Sequence, residues 1–316
     1  MTALICAYDI SSDGSARRLT DGLIASPLPD GVWRWVNLMR TEPDAAEILA
    51  SLGLSQTAID PLLVEETRPR AWTLGDRTLM VLRGINLNED LGGHPLIALR
   101  LSVSKRMVIT CRKFHFMALQ DLVDRCESGN APPSPAAFVI DLIEGLSERF
   151  AARIAELDAC LESIESHQAE AREDALSALR RDLLPLVRFM LPQREALSRL
   201  RHLCGDWAEA VDLADIDDVE NEFLRLIEHL REVEGQATLL REELLAETAA
   251  TQARNTYLIS ILAALFVPLS FVTGLLGMNV AGIPGADAPY AFALVVGLMA
   301  AGFVAGIAVL RWRHWI

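Results

Sequence analysis

The sequence predicts an α+β cytoplasmic domain with a long stalk helix, followed by two C-terminal transmembrane helices. Three observations predict it. Tyr257–Leu276 contains no Asp, Glu, Lys, Arg or His. At about 1.5 Å per residue it spans roughly 30 Å, the thickness of a bilayer's hydrocarbon core. A second apolar run, Tyr290–Leu310, follows a loop of only thirteen residues, 277–289. Upstream, apolar residues at heptad spacing lead toward the first run with no loop signal between them.

Residues 1–134 alternate between strand-like and helix-like pieces. Leu4–Asp9 and Val32–Leu38 are short apolar or aromatic runs beside turn residues, Ser11-Ser12-Asp13-Gly14 and Pro29-Asp30-Gly31. Asp44–Leu52 reads as a helix with Asp44 as N-cap. Thr78–Leu87, Leu96–Val103 and Arg106–Cys111 read as strands, with the turn Asn88–Pro95 between the first two. The sheet is expected to be mostly antiparallel or mixed. No Gly-rich phosphate loop and no nucleophile elbow occurs in it, so the chain does not read as an enzyme.

Pro132-Pro133-Ser134-Pro135 marks a boundary, and residues 135–205 read as a helical hairpin. Phe138–Ile164 has apolar residues at 139, 142, 146, 150, 154, 157, 161 and 164, near the helical period. Ala175–Leu203 reads as a second helix, with kinks or a break expected at Pro185 and Pro192. Asp206–Ala214 reads as an acidic connector.

The stalk, within 206–256, carries the seam Val219, Phe223, Leu226, Leu230, Val233, Ala237, Leu240 and Leu244, alternating spacings of 4 and 3. One continuous helix is expected from Asp217 to Leu276, roughly 90 Å by its rise. The seam is expected to bury against residues 138–204.

The membrane run has its own stripe: Thr256, Ser260, Ala263, Val267 and Ser270, small or β-branched residues three and four apart, with Gly274 beyond. Bulky Leu258, Ile261, Leu262, Leu265, Phe266 and Leu269 lie mostly off it. Such a face suits a pore wall or a closely packed helix; the hydroxyls can also bond back to their own helix. From Leu244 to Thr256 the helix turns about 120°, so seam and stripe face different ways. Traced back, the stripe reaches Glu242, Glu232 and Glu228, which either ring a cation funnel or form a solvated acidic face. In the second run, Gly297 and Gly302-x-x-x-Gly306 allow close approach of a neighbouring helix.

Loop 277–289 has no Lys or Arg, whereas Arg254 precedes the first run and Arg311 and Arg313 follow the second. Basic flanks favour the cytoplasmic side, so both termini are expected there, with the loop outside. Trp312 and Trp315 suit interfacial anchors. No charged stretch followed by an apolar core opens the chain, so no cleaved signal peptide is expected. The net charge of −14 argues against nucleic acid and anionic lipid as partners and suits cations. Cys6, Cys111, Cys126, Cys160 and Cys204 form no CxxC, consistent with reduced thiols. His94, His115, His167, His202, His229 and His314 form no ligand-spaced pair on one helix face, so no resident zinc or other cofactor is expected.

At Gly277-Met278-Asn279 the chain resembles the CorA superfamily of divalent-cation transport proteins, in which a GMN tripeptide closes the first of two terminal membrane helices. Within it, several stretches resemble the zinc-transporting ZntB branch. These are Glu66-Thr67-Arg68-Pro69-Arg70, Leu82-Arg83-Gly84-Ile85-Asn86-Leu87-Asn88, Leu191-Pro192-Gln193-Arg194-Glu195-Ala196-Leu197 and Asn279-Val280-Ala281-Gly282-Ile283-Pro284-Gly285. Ala281 replaces the first of the two glycines usual in that branch. The resemblance implies a homopentamer in the cell inner membrane, its central pore lined by the first membrane helix and its cargo a divalent cation, most like zinc. Five copies of Asn279 would offer amide oxygens to the hydration shell of the passing ion. Gly277 suits a helix end in a left-handed turn, Met278 suits packing, and Gly274 leaves the outer pore open. Relatives of that branch are associated with proton-coupled uptake, yet neither apolar run contains a titratable relay. Two alternatives stand beside this reading: a magnesium or cobalt channel on the same scaffold, and a membrane-anchored coiled-coil scaffold or sensor.

Overall fold

A computed structural model describes residues 2–65, 68–88, 95–166, 169–278 and 288–313. The chain divides into two compact units, Met1–Arg241 and Glu242–Ile316.

The first unit is built on a seven-stranded sheet: β1 (Leu4–Ser11), β2 (Ala16–Arg18), β3 (Val32–Met39), β4 (Arg70–Leu74), β5 (Arg77–Ile85), β6 (Leu96–Ser104) and β7 (Met107–Arg112). Their order is β2-β1-β3-β7-β6-β5-β4. Among the described residues only β3 and β7 run parallel, so the sheet is mixed. Each expected strand is present within a residue or two. The β4–β5 hairpin was not anticipated. It turns on Gly75-Asp76 with Leu74 opposite Arg77, and Gly75 has φ +64°, which a two-residue hairpin with glycine first requires.

Helices cover both faces of this sheet. On one, α1 (Ala45–Ser51) and α2 (Gln56–Leu63) enclose a core of Val36, Leu38, Leu49, Leu62, Leu79 and Ile109. On the other, α3 (Met117–Glu127) and α4 (Pro135–Glu165) close over Trp35, whose ring lies 4.8 Å from that of Phe138. Asp44 precedes α1 without capping it. Its carboxylate turns back to accept the Ala3 N–H at 3.0 Å. The proline-rich boundary is instead a working helix start: Ser134 Oγ accepts the Ala137 N–H at 3.0 Å, with Pro135 at the first helical position. Every apolar position read along α4, from Val139 to Ile164, is buried.

The next long helix, α5 (Ala169–Leu203), continues through Pro185 and Pro192 as one element, so of the kinks or break expected there the break does not occur. Each proline removes one ladder bond, but burial of Leu183, Leu186, Met190 and Leu197 holds the helix to its surroundings. The expected acidic connector is a single 3₁₀ turn, Gly205–Trp207, after which α6 (Ala210–Leu276) begins at once. Asp212 drives this early start by accepting the Glu209 N–H at 2.6 Å, the reaching-back half of a capping box. The α6 seam from Val219 to Leu240 is buried, and the Phe223 ring meets that of Phe150 on α4 at 5.8 Å.

The second unit holds the rest of α6 and α7 (Ala291–Trp312). By length and composition both helices can cross a membrane. Pro268 lies inside α6 and leaves the carbonyl of Ala264 without its usual partner, which membrane helices tolerate.

Candidate functional site: the α6 stripe

Between Thr251 and Met278 the least exposed residues of α6 are Ile261, Leu265 and Leu269, one turn apart. They face α7. Leu265 reaches Gly306 so closely that a Cβ there would lie 2.7 Å from Leu265 Cδ2, and the Phe266 and Phe303 rings are 6.1 Å apart. Gly306 of the GxxxG pair thus serves contact inside one chain, whereas a Cβ on Gly302 or Gly297 would meet nothing within 4 Å.

Thr256, Ser260, Ala263, Val267, Ser270 and Gly274 lie on the other side. At 100° per residue their row centres about 180° from the row that meets α7. All six are exposed in the single chain. A stripe of small side chains therefore looks directly away from the neighbouring helix, while the bulkiest residues occupy the remaining surface.

The hydroxyls on and beside this row bond to carbonyls of their own helix. Ser260 Oγ donates to the Thr256 carbonyl at 2.9 Å. Its proton is committed to the helix, so its lone pairs point outward as acceptors. The Ser270 carbonyl accepts from Thr273 Oγ1 at 2.9 Å.

At the helix end, Gly277 donates its N–H to Thr273 O at 2.9 Å. Its φ is outside the left-handed region, contrary to the turn expected there. The helical ladder simply carries on through this residue, so no reversal of hand is needed at it. Met278 is exposed. Asn279 and the loop to Asp287 lie outside the described residues, as do Trp315 and His314.

Glu228, Glu232 and Glu242 are all exposed. A separate acidic cleft in the first unit is lined by Glu144 of α4 and Asp218 and Glu222 of α6. Partial burial, then the carboxylates of Asp141 and Glu222, hold the Glu144 carboxyl above its ordinary value. The sequence reading missed this cleft, because its carboxylates come from helices far apart in the chain.

A family model described as CorA-like Mg2+ transporter protein matches residues 30–311. The chain is 34% identical over 322 residues to the divalent cation transporter CmaX of Pseudomonas aeruginosa PAO1, covering 99% of this chain and 95% of that protein. It is 31% identical over 262 residues to the zinc transport protein ZntB of Pectobacterium carotovorum, covering 82% and 80%. Among solved structures, full-length CmaX matches with a TM-score of 0.83 at 33% identity, covering 99% of this chain and 98% of that one. The CorA magnesium transporter of Methanocaldococcus jannaschii matches with a TM-score of 0.80 at 17% identity over the whole of both chains, a likeness of fold.

Proposed function

The chain belongs to the CorA-like Mg2+ transporter family, and from that premise we propose that it carries zinc across the inner membrane through the central pore of a homopentamer. Divalent-cation transport is the activity of its relatives. The observation that carries the pore assignment is the opposition on α6. One row packs on α7, and the small, partly hydroxylated row from Thr256 to Gly274 faces away from it. In a ring of subunits with α7 outermost, that row would line the axis.

The chemistry is passage without bond-making. Ser260, with its proton held by Thr256 O, offers lone pairs to the water shell of a cation. At the outer mouth, Asn279 would add amide oxygens. Neutral oxygens hold a hydrated divalent ion weakly enough to release it, where a carboxylate ring would retain it. No cofactor takes part, and the cation is cargo. Basic Arg254, Arg311 and Arg313 beside the two runs support cytoplasmic termini.

Zinc is favoured by the stretches shared with the ZntB branch and by the relative named as a zinc transport protein. Magnesium is the second reading, favoured by the description of the family model. Flux into proteoliposomes decides, with zinc, magnesium and cobalt supplied separately and the pH gradient varied independently. Zinc uptake is expected. Uptake of magnesium without zinc would overturn the assignment.

A further inference from the structure

The first unit contains a cation-lined cavity to which the proposed pore assigns no role. It lies on the α1/α2 side of the sheet, at the β5–β6 end, under α5, and encloses about 790 Å³. Arg83 on β5, Arg100 on β6, Arg188 on α5, and Arg40, Arg68 and Lys113 on the flanking segments all line it. Among the described residues around it, Glu65 is the one carboxylate, and its Oε1 already accepts from Lys113 Nζ at 3.2 Å. A chain of net charge −14 thus gathers six cations in one hollow.

The register explains how. Arg83 lies opposite Ala98, and Ala98 and Arg100 share a sheet face because they are two apart on β6. Arg100 is fully buried and donates from Nη2 to the carbonyls of Val64 and Glu65 at 2.6 and 3.0 Å. Burial, then the like charges of Arg40 and Arg83, push its guanidinium down to about 10. Arg83 and Arg188 approach the same ring, that of Phe189, at 4.7 and 5.3 Å, and a ring face orients guanidinium planes. Three stretches singled out in the sequence meet here. Arg68 comes from the first, Arg83 from the second, and Gln193 of the third binds the Arg83 backbone.

We propose that this cavity binds a soluble phosphate-bearing anion of nucleotide size, the arginines engaging its phosphates and the Phe114 and Phe189 wall its organic part. Guanidinium forks match phosphate oxygens in pairs, which a monatomic anion does not exploit. The volume falls within the range of about 300–1,000 Å³ of small-molecule sites.

Isothermal titration of the full-length protein in detergent tests this, with EDTA present and ionic strength fixed by sodium chloride. The titrants are ATP and tripolyphosphate. Both are expected to bind. Because Arg68 and Arg188 are exposed, Arg68→Ala with Arg188→Ala should keep the wild-type melting temperature. It should also weaken ATP binding roughly tenfold or more through loss of charge-assisted contacts. Leu184→Trp, which keeps every charge but fills the hollow, should also weaken ATP. Binding of ATP alone would assign part of the affinity to the aromatic wall and support the proposal. No ATP binding to the wild type, equal binding to both variants, or binding of tripolyphosphate without ATP would overturn it.

Discussion

Gln193 hydrogen-bonds both backbone groups of Arg83: the Arg83 N–H donates to Gln193 Oε1 at 2.6 Å, and Gln193 Nε2 donates to the Arg83 carbonyl at 3.0 Å. β4 pairs with β5 only as far as Val81, opposite Arg70. Beyond that point the edge of β5 would be open. One amide side chain on α5 supplies both ladder bonds of the missing strand residue, and it does so while buried. The same contact fixes a helix that carries two prolines to the edge of the sheet.

Gln193→Ala would remove both of these hydrogen bonds at a part-buried position of β5, at about 0.5–1.5 kcal/mol each. Gln193→Glu keeps an acceptor but not the donor when ionised. Thermal unfolding of the full-length protein should show both variants less stable, with alanine the worse. An unchanged midpoint for Gln193→Ala would show that water replaces the amide at no cost.

The stripe makes a directional prediction. Ala263→Leu and Ser270→Leu place bulk on the row facing away from α7, and zinc flux should fall sharply. Leu269→Met, on the row that meets α7, should leave flux near wild type, since such swaps cost under about 1.5 kcal/mol. Asn279→Leu should abolish flux while the oligomer stays intact on size-exclusion chromatography. Full flux through Ala263→Leu would mean the stripe is a packing face.

Arg34 is 1% exposed and is held by Asp9 through two bonds, Nε to Oδ1 at 2.6 Å and Nη2 to Oδ2 at 3.0 Å. The carbonyls of Ile24 and Ser26 take its remaining Nη1 protons at 2.6 and 2.8 Å. Asp9→Ala leaves this cation buried without its counter-charge, a loss of about 3–5 kcal/mol. A melting temperature close to wild type would contradict that.

The cysteines differ in accessibility and in proton affinity. Cys160 is exposed, and the other four are buried. Burial pushes Cys111 and Cys126 up to about 12 and Cys204 to about 11, and raises Cys6 as well. A raised thiol pKa means less thiolate, the reactive form, at any pH below it. Maleimide at neutral pH should therefore modify native protein at Cys160 alone, and at all five sites after denaturation. Peptide mapping by mass spectrometry reads the outcome.

Much of this molecule was legible from local pattern. The two apolar runs, the α4 spacing and the α6 seam each follow from residue types repeating at a fixed period, and periodicity is a property of the chain itself. The elements that escaped notice are short or carry a misleading residue. Pro61 sits inside α2, β4 has five residues, and α3 starts without a side-chain cap. The two α5 prolines do not end their helix, because local propensity does not record the burial that outweighs it.

The sequence by itself determined the membrane runs, the long helix, the stripe and the family, since each rests on neighbouring residues along one helix or on a short motif. Tertiary structure decided what lies opposite what. It set the stripe away from α7, gave Gly306 to Leu265 and Gln193 to Arg83, and brought six cations from six separate stretches of an acidic chain into one cavity. Such relationships depend on strand register and helix packing between residues up to a hundred or more positions apart, and no period in the chain encodes them.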